Sequence, residues 1–242
     1  MNGHRIEDYL VLATSFFGRR KDPEPVLPRP ERLDSIRSLV TSSLRPVRPL
    51  PSDATLICIA LGLFIAFSLL AAVPVDYRGF HRLSTMQRLA YYPVITVCAL
   101  LFSVSLVHEI IPGSRRRIHP ALGVVFSLFS LASVAFGLFP NHHLAHFANL
   151  GLRCLGLGIT CALVSGLLAY LLLRKGFAAS PVRATTLTGF FAGLTGVAVL
   201  ALHCPLQDVF HILVWHLGAM LTAGACGALL GWWRVHVRTP TR

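Results

Sequence analysis

After an opening stretch in which apolar positions are scattered, the chain settles into long apolar runs separated by short polar gaps. Six runs are long enough to cross a bilayer core as helix, which takes about 20 residues. They are Thr55–Val73, Leu89–Ile111, Ala121–Phe139, Leu150–Leu173, Ala184–Cys204 and Val209–Gly231. This pattern predicts an all-α polytopic membrane protein with six transmembrane helices and a short amino-terminal helical segment. Three parts follow: a cytoplasmic segment over 1–54, a six-helix transmembrane domain over 55–231, and a basic tail over 232–242. The fourth, fifth and sixth spans are rich in glycine, which in lipid lets helices approach closely. Ala223, Gly227 and Gly231 form one stripe of small residues at every fourth position, and Gly189 and Gly193 form another. Both predict helix–helix contacts, and they are the faces through which copies of the chain could form a homo-oligomer.

Composition narrows the class. Hydrophobic residues make up 54% of the 242 and charged residues only 13%, against about 25% charge in a soluble domain. One soluble domain and a disordered chain are both excluded. A disulfide scaffold is excluded too, because the six cysteines are sparse and four of them, Cys58, Cys98, Cys161 and Cys226, sit inside apolar runs. Those four are expected to be packing residues.

The net charge of +12 would suggest nucleic acid, but its placement argues against that. The 22 lysines and arginines fall almost entirely in the gaps between spans, where basic residues orient a membrane protein. With the amino end in the cytoplasm, 18 of the 22 face inward. The first fifteen residues contain Glu7 and Asp8 and lack the pattern of a cleaved signal peptide. Both termini are therefore expected inside, and gap 140–149 and turn 205–208 outside.

The amino-terminal segment carries two helical patterns. Ile6, Leu10, Leu12, Phe16 and Phe17 give an imperfect apolar face over 4–18, and Ile36, Leu39, Val40 and Leu44 recur at helical spacing over 31–44. Four prolines over 22–30 predict a stiff, extended linker between them. A short amphipathic helix of this kind can lie on the membrane, dock on the bundle or bind a protein groove. The residues alone leave those three readings open.

A resemblance bears on the choice. Leu44-Arg-Pro-Val-Arg-Pro-Leu-Pro51 just before the first span, Cys154 at the start of the fourth, and Ala201-Leu-His-Cys-Pro205 before a span containing Trp215 together resemble the negative regulators of sigma factor F. These are six-span bacterial membrane anti-sigma factors. The likeness covers roughly residues 33–232, and residues 1–32 look like an extension of the family's shorter amino end. It implies an inner-membrane protein whose cytoplasmic segment holds an extracytoplasmic-function sigma factor. The anchors would be Ile36, Leu39, Val40 and Leu44. Heavy-metal or oxidative stress would release the sigma factor through two cysteines, which by motif position are Cys154 and Cys204.

Topology by itself places Cys154 and Cys204 on one membrane face at similar depth. A disulfide is then possible if their helices are neighbours. His203, His211 and His216 stand nearby, as does Asn141-His-His-Leu-Ala-His146 in the other outer gap. Thiolate and imidazole suit zinc, cadmium or copper. His203, His211 and His216 are therefore candidate ligands for a transient soft metal ion, and no permanent cofactor is expected. Arg153, adjoining Cys154, could stabilise its thiolate. His108 and Glu109, at the inner end of the second span, are expected to snorkel to the headgroups.

No enzyme is expected. Asp208 is the only acidic residue after Glu109, and neither a phosphate-binding loop nor a nucleophile elbow is present. The alternative to a regulator is a small-solute transporter or channel-like protein, although the two halves show no internal repeat. Reporter fusions at residues 144 and 206 should report the outer compartment. An inner-compartment signal at either position would overturn the orientation.

Overall fold

The computed structural model describes residues 30–43, 51–111, 119–139, 147–173 and 180–238. The chain forms two compact units, Met1–Leu50 and Pro51–Arg242.

In the first unit, helix α1 spans Pro30–Ser43. Proline suits a helix start, where its missing N–H would have no partner anyway. Ile36 and Leu39 are 57% and 73% exposed. The hydroxyls of Ser38 and Thr41 donate back to the carbonyls of Ser35 (2.9 Å) and Arg37 (2.7 Å). The pattern over 4–18, the proline-rich linker, Leu44 and the side chain of Val40 lie outside the described residues.

The second unit is a helical bundle, and no strand occurs among the described residues. Helix α2 covers Asp53–Ala72 and runs into a 3-10 turn, Val73–Val75. After it come α3 (Arg78–Arg82), α4 (Thr85–Ile110), α5 (Pro120–Leu138), α6 (Phe147–Leu173) and α7 (Pro181–His203). The last span combines α8 (Val209–His211), a π turn (Ile212–His216) and α9 (Leu217–Arg238). Among the described residues, six helices are long and apolar enough to cross a membrane. Their outer surfaces are apolar as lipid requires, with Leu70, Phe129 and Leu163 each largely exposed. The protein is a multi-pass membrane protein.

Helices begin earlier than the apolar runs because their first turns are polar caps. The Ser52 side chain accepts from the Thr55 N–H. Ser84 and Gln87 close a reciprocal capping box that starts α4 ahead of Leu89. His119 caps α5, with Pro120 following it. At the far end, α9 continues helically to Arg238, into the stretch expected to be a tail.

Helix α7 is the centre of the bundle, and every residue from Phe191 to Leu202 is buried. Helices α6 and α9 lie directly on it. A Cβ on Gly196 would stand 2.5 Å from the Gly158 carbonyl oxygen of α6. A Cβ on Gly189 or Gly227 would run into the backbone of Ala223 or Thr185 across the α7–α9 contact. The two small-residue stripes thus make the helix–helix contacts expected of them, within the chain.

The end of the bundle opposite Cys204 holds a buried charge. Glu109, only 2% exposed, ion-pairs with Arg183 at 3.6 Å. It does not snorkel, because α7 brings Arg183 to it. Nearer the chain's end, Arg234 donates to the Tyr170 hydroxyl at 2.6 Å.

Packing this close makes a specific forecast. Gly189→Ala should lower the thermal midpoint in detergent, since overpacking typically costs about 1–3 kcal/mol. Gly137→Ala meets open space and should leave the midpoint unchanged. Equal midpoints for the two variants would remove glycine contact as the basis of the α7–α9 packing.

Candidate functional site

At one end of the bundle, four side chains from three spans converge. Cys154 lies in the second turn of α6, Cys204 terminates α7, and His211 and His216 belong to the last span. One ligand atom from each of the four lies within 4.8 Å of the others. The Cys154 and Cys204 sulfurs are 3.4 Å apart, and Cys204 Sγ is 3.4 Å from His211 Nε2. The two imidazoles meet edge to face at 5.3 Å between centroids. Cys154 is partly exposed and the other three are buried.

Local sequence explains each position. Helix α7 must stop at His203 because Pro205 follows Cys204 and disfavours helix at the residue before it. Cys204 accordingly takes an extended conformation, with φ −71° and ψ 118°. The turn is tied down by Gln207 Nε2, which donates to the Cys204 carbonyl at 2.8 Å. Asp208 then caps α8, its carboxylate accepting from the His211 N–H at 2.8 Å. Both bonds hold the thiol of Cys204 and the ring of His211 against each other across one tight loop.

The π turn orients the second histidine. Residues five apart on a regular α-helix point about 140° away from each other. The wider i→i+5 turn over Ile212–His216 takes up an extra residue and returns His216 to the side of His211. The room comes from α6, where Gly151 lies against the Trp215 indole with no space for a Cβ. Phe147 packs on the same indole at 5.3 Å. Above Cys204 sits α3: a Cβ on Gly79 would be 2.6 Å from the Cys204 carbonyl oxygen.

Two sequence expectations do not join this cluster. The His203 ring faces the neighbouring loop, its Nδ1 3.3 Å from the Asp76 carbonyl. It precedes Cys204 on the last helical turn and so projects elsewhere. Arg153 is exposed and has no hydrogen bond or ion pair with the cluster among the described residues. Asp76 itself adopts φ 73°, stabilised by its side chain accepting from the Tyr77 N–H (2.7 Å) and from Arg78 (3.0 Å). Arg78 holds its carboxyl below the usual carboxylate range. The histidines of 141–146 lie outside the described residues.

Residues 40–236, most of the chain, match the sequence profile of a family described as negative regulator of sigma F. The chain belongs to that family. It is a family of regulators, not a class of enzymes, and its description names a sigma factor as the partner. The match takes in all four clustered residues, while Ile36 and Leu39 precede it. No curated protein and no solved structure matches the chain.

Of the residues singled out in sequence, Cys154, Cys204, His211 and His216 come together. The supporting roles of Gly79, Gly151 and Gln207 had no signal in the sequence beyond the glycines' lack of a side chain. Forming an S–S bond of about 2.05 Å would require the two sulfurs to close by only about 1.4 Å. Diamide, accepting two electrons and two protons, should therefore join Cys154 to Cys204 in the detergent-extracted protein. Peptide mapping reads the outcome, and a first disulfide through any other cysteine would contradict this pairing.

Proposed function

We propose that this negative regulator holds an extracytoplasmic-function sigma factor at the bacterial inner membrane and releases it when thiol-reactive metal or oxidant reacts at Cys154 and Cys204. One observation carries the reading: in a member of the negative regulators of sigma F, two cysteines 50 residues apart present their sulfurs to each other at 3.4 Å. A reactive pair needs this proximity, and packing cysteines do not. In the proposed orientation both termini are cytoplasmic and the cysteine end faces the oxidising side, where reversible thiol chemistry is sustained.

Capture falls to the segment before the first span. Ile36 and Leu39 are apolar and exposed on α1, as an anchor for a partner's groove requires. The same chain continues through residues 44–52 into α2. An apolar cavity of about 280 Å³, lined by Leu63, Phe67, Leu168 and Thr195 among others, lies where α2 faces α6 and α7. Such a gap gives α2 room to adjust, pivoting on the Phe64–Phe191 contact (5.7 Å between ring centroids), when the ends of α6 and α7 are drawn together. A ligand moves such an equilibrium only by its differential affinity for the two states, and a bond between Cys154 and Cys204 has that property.

Leu39→Asp should weaken sigma-factor co-purification by more than about tenfold, the scale of losing a buried apolar anchor, without affecting membrane insertion. Cys154→Ser and Cys204→Ser should each block release under stress, and the double variant should match either single one. Normal release in both single variants would remove the sensor and leave sigma capture standing.

A further inference from the structure

The thiol pair does not account for the two histidines. His216 is fully buried, and among the described residues neither of its ring nitrogens makes a hydrogen bond of ordinary length; what it faces is the cluster itself. A buried polar group left unpaired costs about 1–3 kcal/mol. This one faces two sulfurs and a second imidazole. Its position also depends on a π turn, a rare departure from α-helix that is frequent at functional sites. Packing alone does not call for a histidine there; a ligand to an ion does.

We propose that Cys154, Cys204, His211 and His216 form one tetrahedral site for a divalent d10 ion of the zinc class. The inference rests on the regulatory reading only for its purpose, since the site itself stands on geometry. Bonds of about 2.3 Å to sulfur and 2.0–2.1 Å to nitrogen set the edges of an S2N2 tetrahedron at roughly 3.3–3.8 Å. The S–S and S–N separations in the cluster, 3.4 Å each, are already edges of that size. All four ligand atoms lie within 4.8 Å of one another, so a small contraction closes the rest. Two thiolates with two imidazoles at a tetrahedral centre select zinc over magnesium or calcium, which take oxygen.

The chemistry is ligand exchange without electron transfer. The hydrated ion gives up its water, each cysteine loses its thiol proton to solvent, two metal–sulfur and two metal–nitrogen bonds form, and the thiolates cancel the dication's charge. A neutral centre is suited to a site this poor in carboxylates. Cys154, the one partly exposed ligand, is the point of entry. The ion joins α6, α7 and the last span, whereas a disulfide would join only α6 and the end of α7.

The test uses the full chain in detergent, kept reduced with a phosphine. Titration with Co²⁺ should saturate at one equivalent, with intense visible bands of a tetrahedral centre and a near-ultraviolet sulfur-to-cobalt transition. Zn²⁺ and Cd²⁺ should displace it. His211→Gln and His216→Gln should each weaken Zn²⁺ binding by more than about 100-fold, beyond the 10–100-fold typical of losing an outer-shell partner. His203→Gln should bind like the parent. X-ray absorption of the Zn²⁺-loaded parent counts the ligands directly, whether or not the variants fold, and should find two sulfurs and two nitrogens. Absence of binding by the reduced parent, a sulfur-only shell, or unchanged affinity in both histidine variants would overturn the site. Sigma-factor retention, read in the same preparations, separates the two claims. Metal binding without sigma capture sustains the site and overturns the regulatory role; capture without metal binding does the reverse.

Discussion

The absence of side chains along one face of α7 governs this bundle. Lipid tails are as apolar as leucine, so helices in a membrane gain little by hiding apolar surface from one another. Close packing has to supply the association. Gly189, Gly193 and Gly196 let α9 and α6 approach the α7 backbone itself, and α7 becomes a buried axis from Phe191 to Leu202. The ends of three spans are thereby brought to one place. Cys204 lies at the end of that axis, Cys154 arrives on α6, and His211 and His216 arrive on the helix that the glycines hold against it.

Around this axis the packing is uneven. Helices α6, α7 and α9 are locked by contacts that a single methyl would disturb. Helix α2 instead has an apolar cavity between it and α6 and α7, and much of its surface is exposed. Its hold on α7 runs through Phe64, buried against Phe191 with ring centroids 5.7 Å apart. The buried Glu109 carboxylate, paired with the exposed Arg183, ties α4 to α7 at the opposite end.

The chemistry of the cluster depends on its confinement. In water, two thiols and two imidazoles five or fifty residues apart would be independent groups. Here the Pro205 turn, the Asp208 cap and the π turn hold them within a few ångströms. Gly79 and Gly151 remove the side chains that would otherwise fill the space above Cys204 and beside Trp215. The resulting site can react as a dithiol or bind as a four-ligand set, and the two histidines distinguish these outcomes.

By itself, the sequence determined the membrane, the six spans, the face shared by Cys154 and Cys204, and the identity of all four clustered residues. Each of these rests on one-dimensional quantities: run length, the placement of Lys and Arg, and motifs short enough to read along the chain. What the sequence left open is who meets whom. A regular helix would have placed His211 and His216 on different faces, and only the π turn, with Gly151 making way for Trp215, aligns them. His203 looked equivalent to them on paper, yet the last turn of α7 directs it to Asp76. Glu109 could have reached for headgroups. The tertiary structure decided otherwise, because close approach and burial depend on what the neighbouring helix presents at that depth, which no local pattern records.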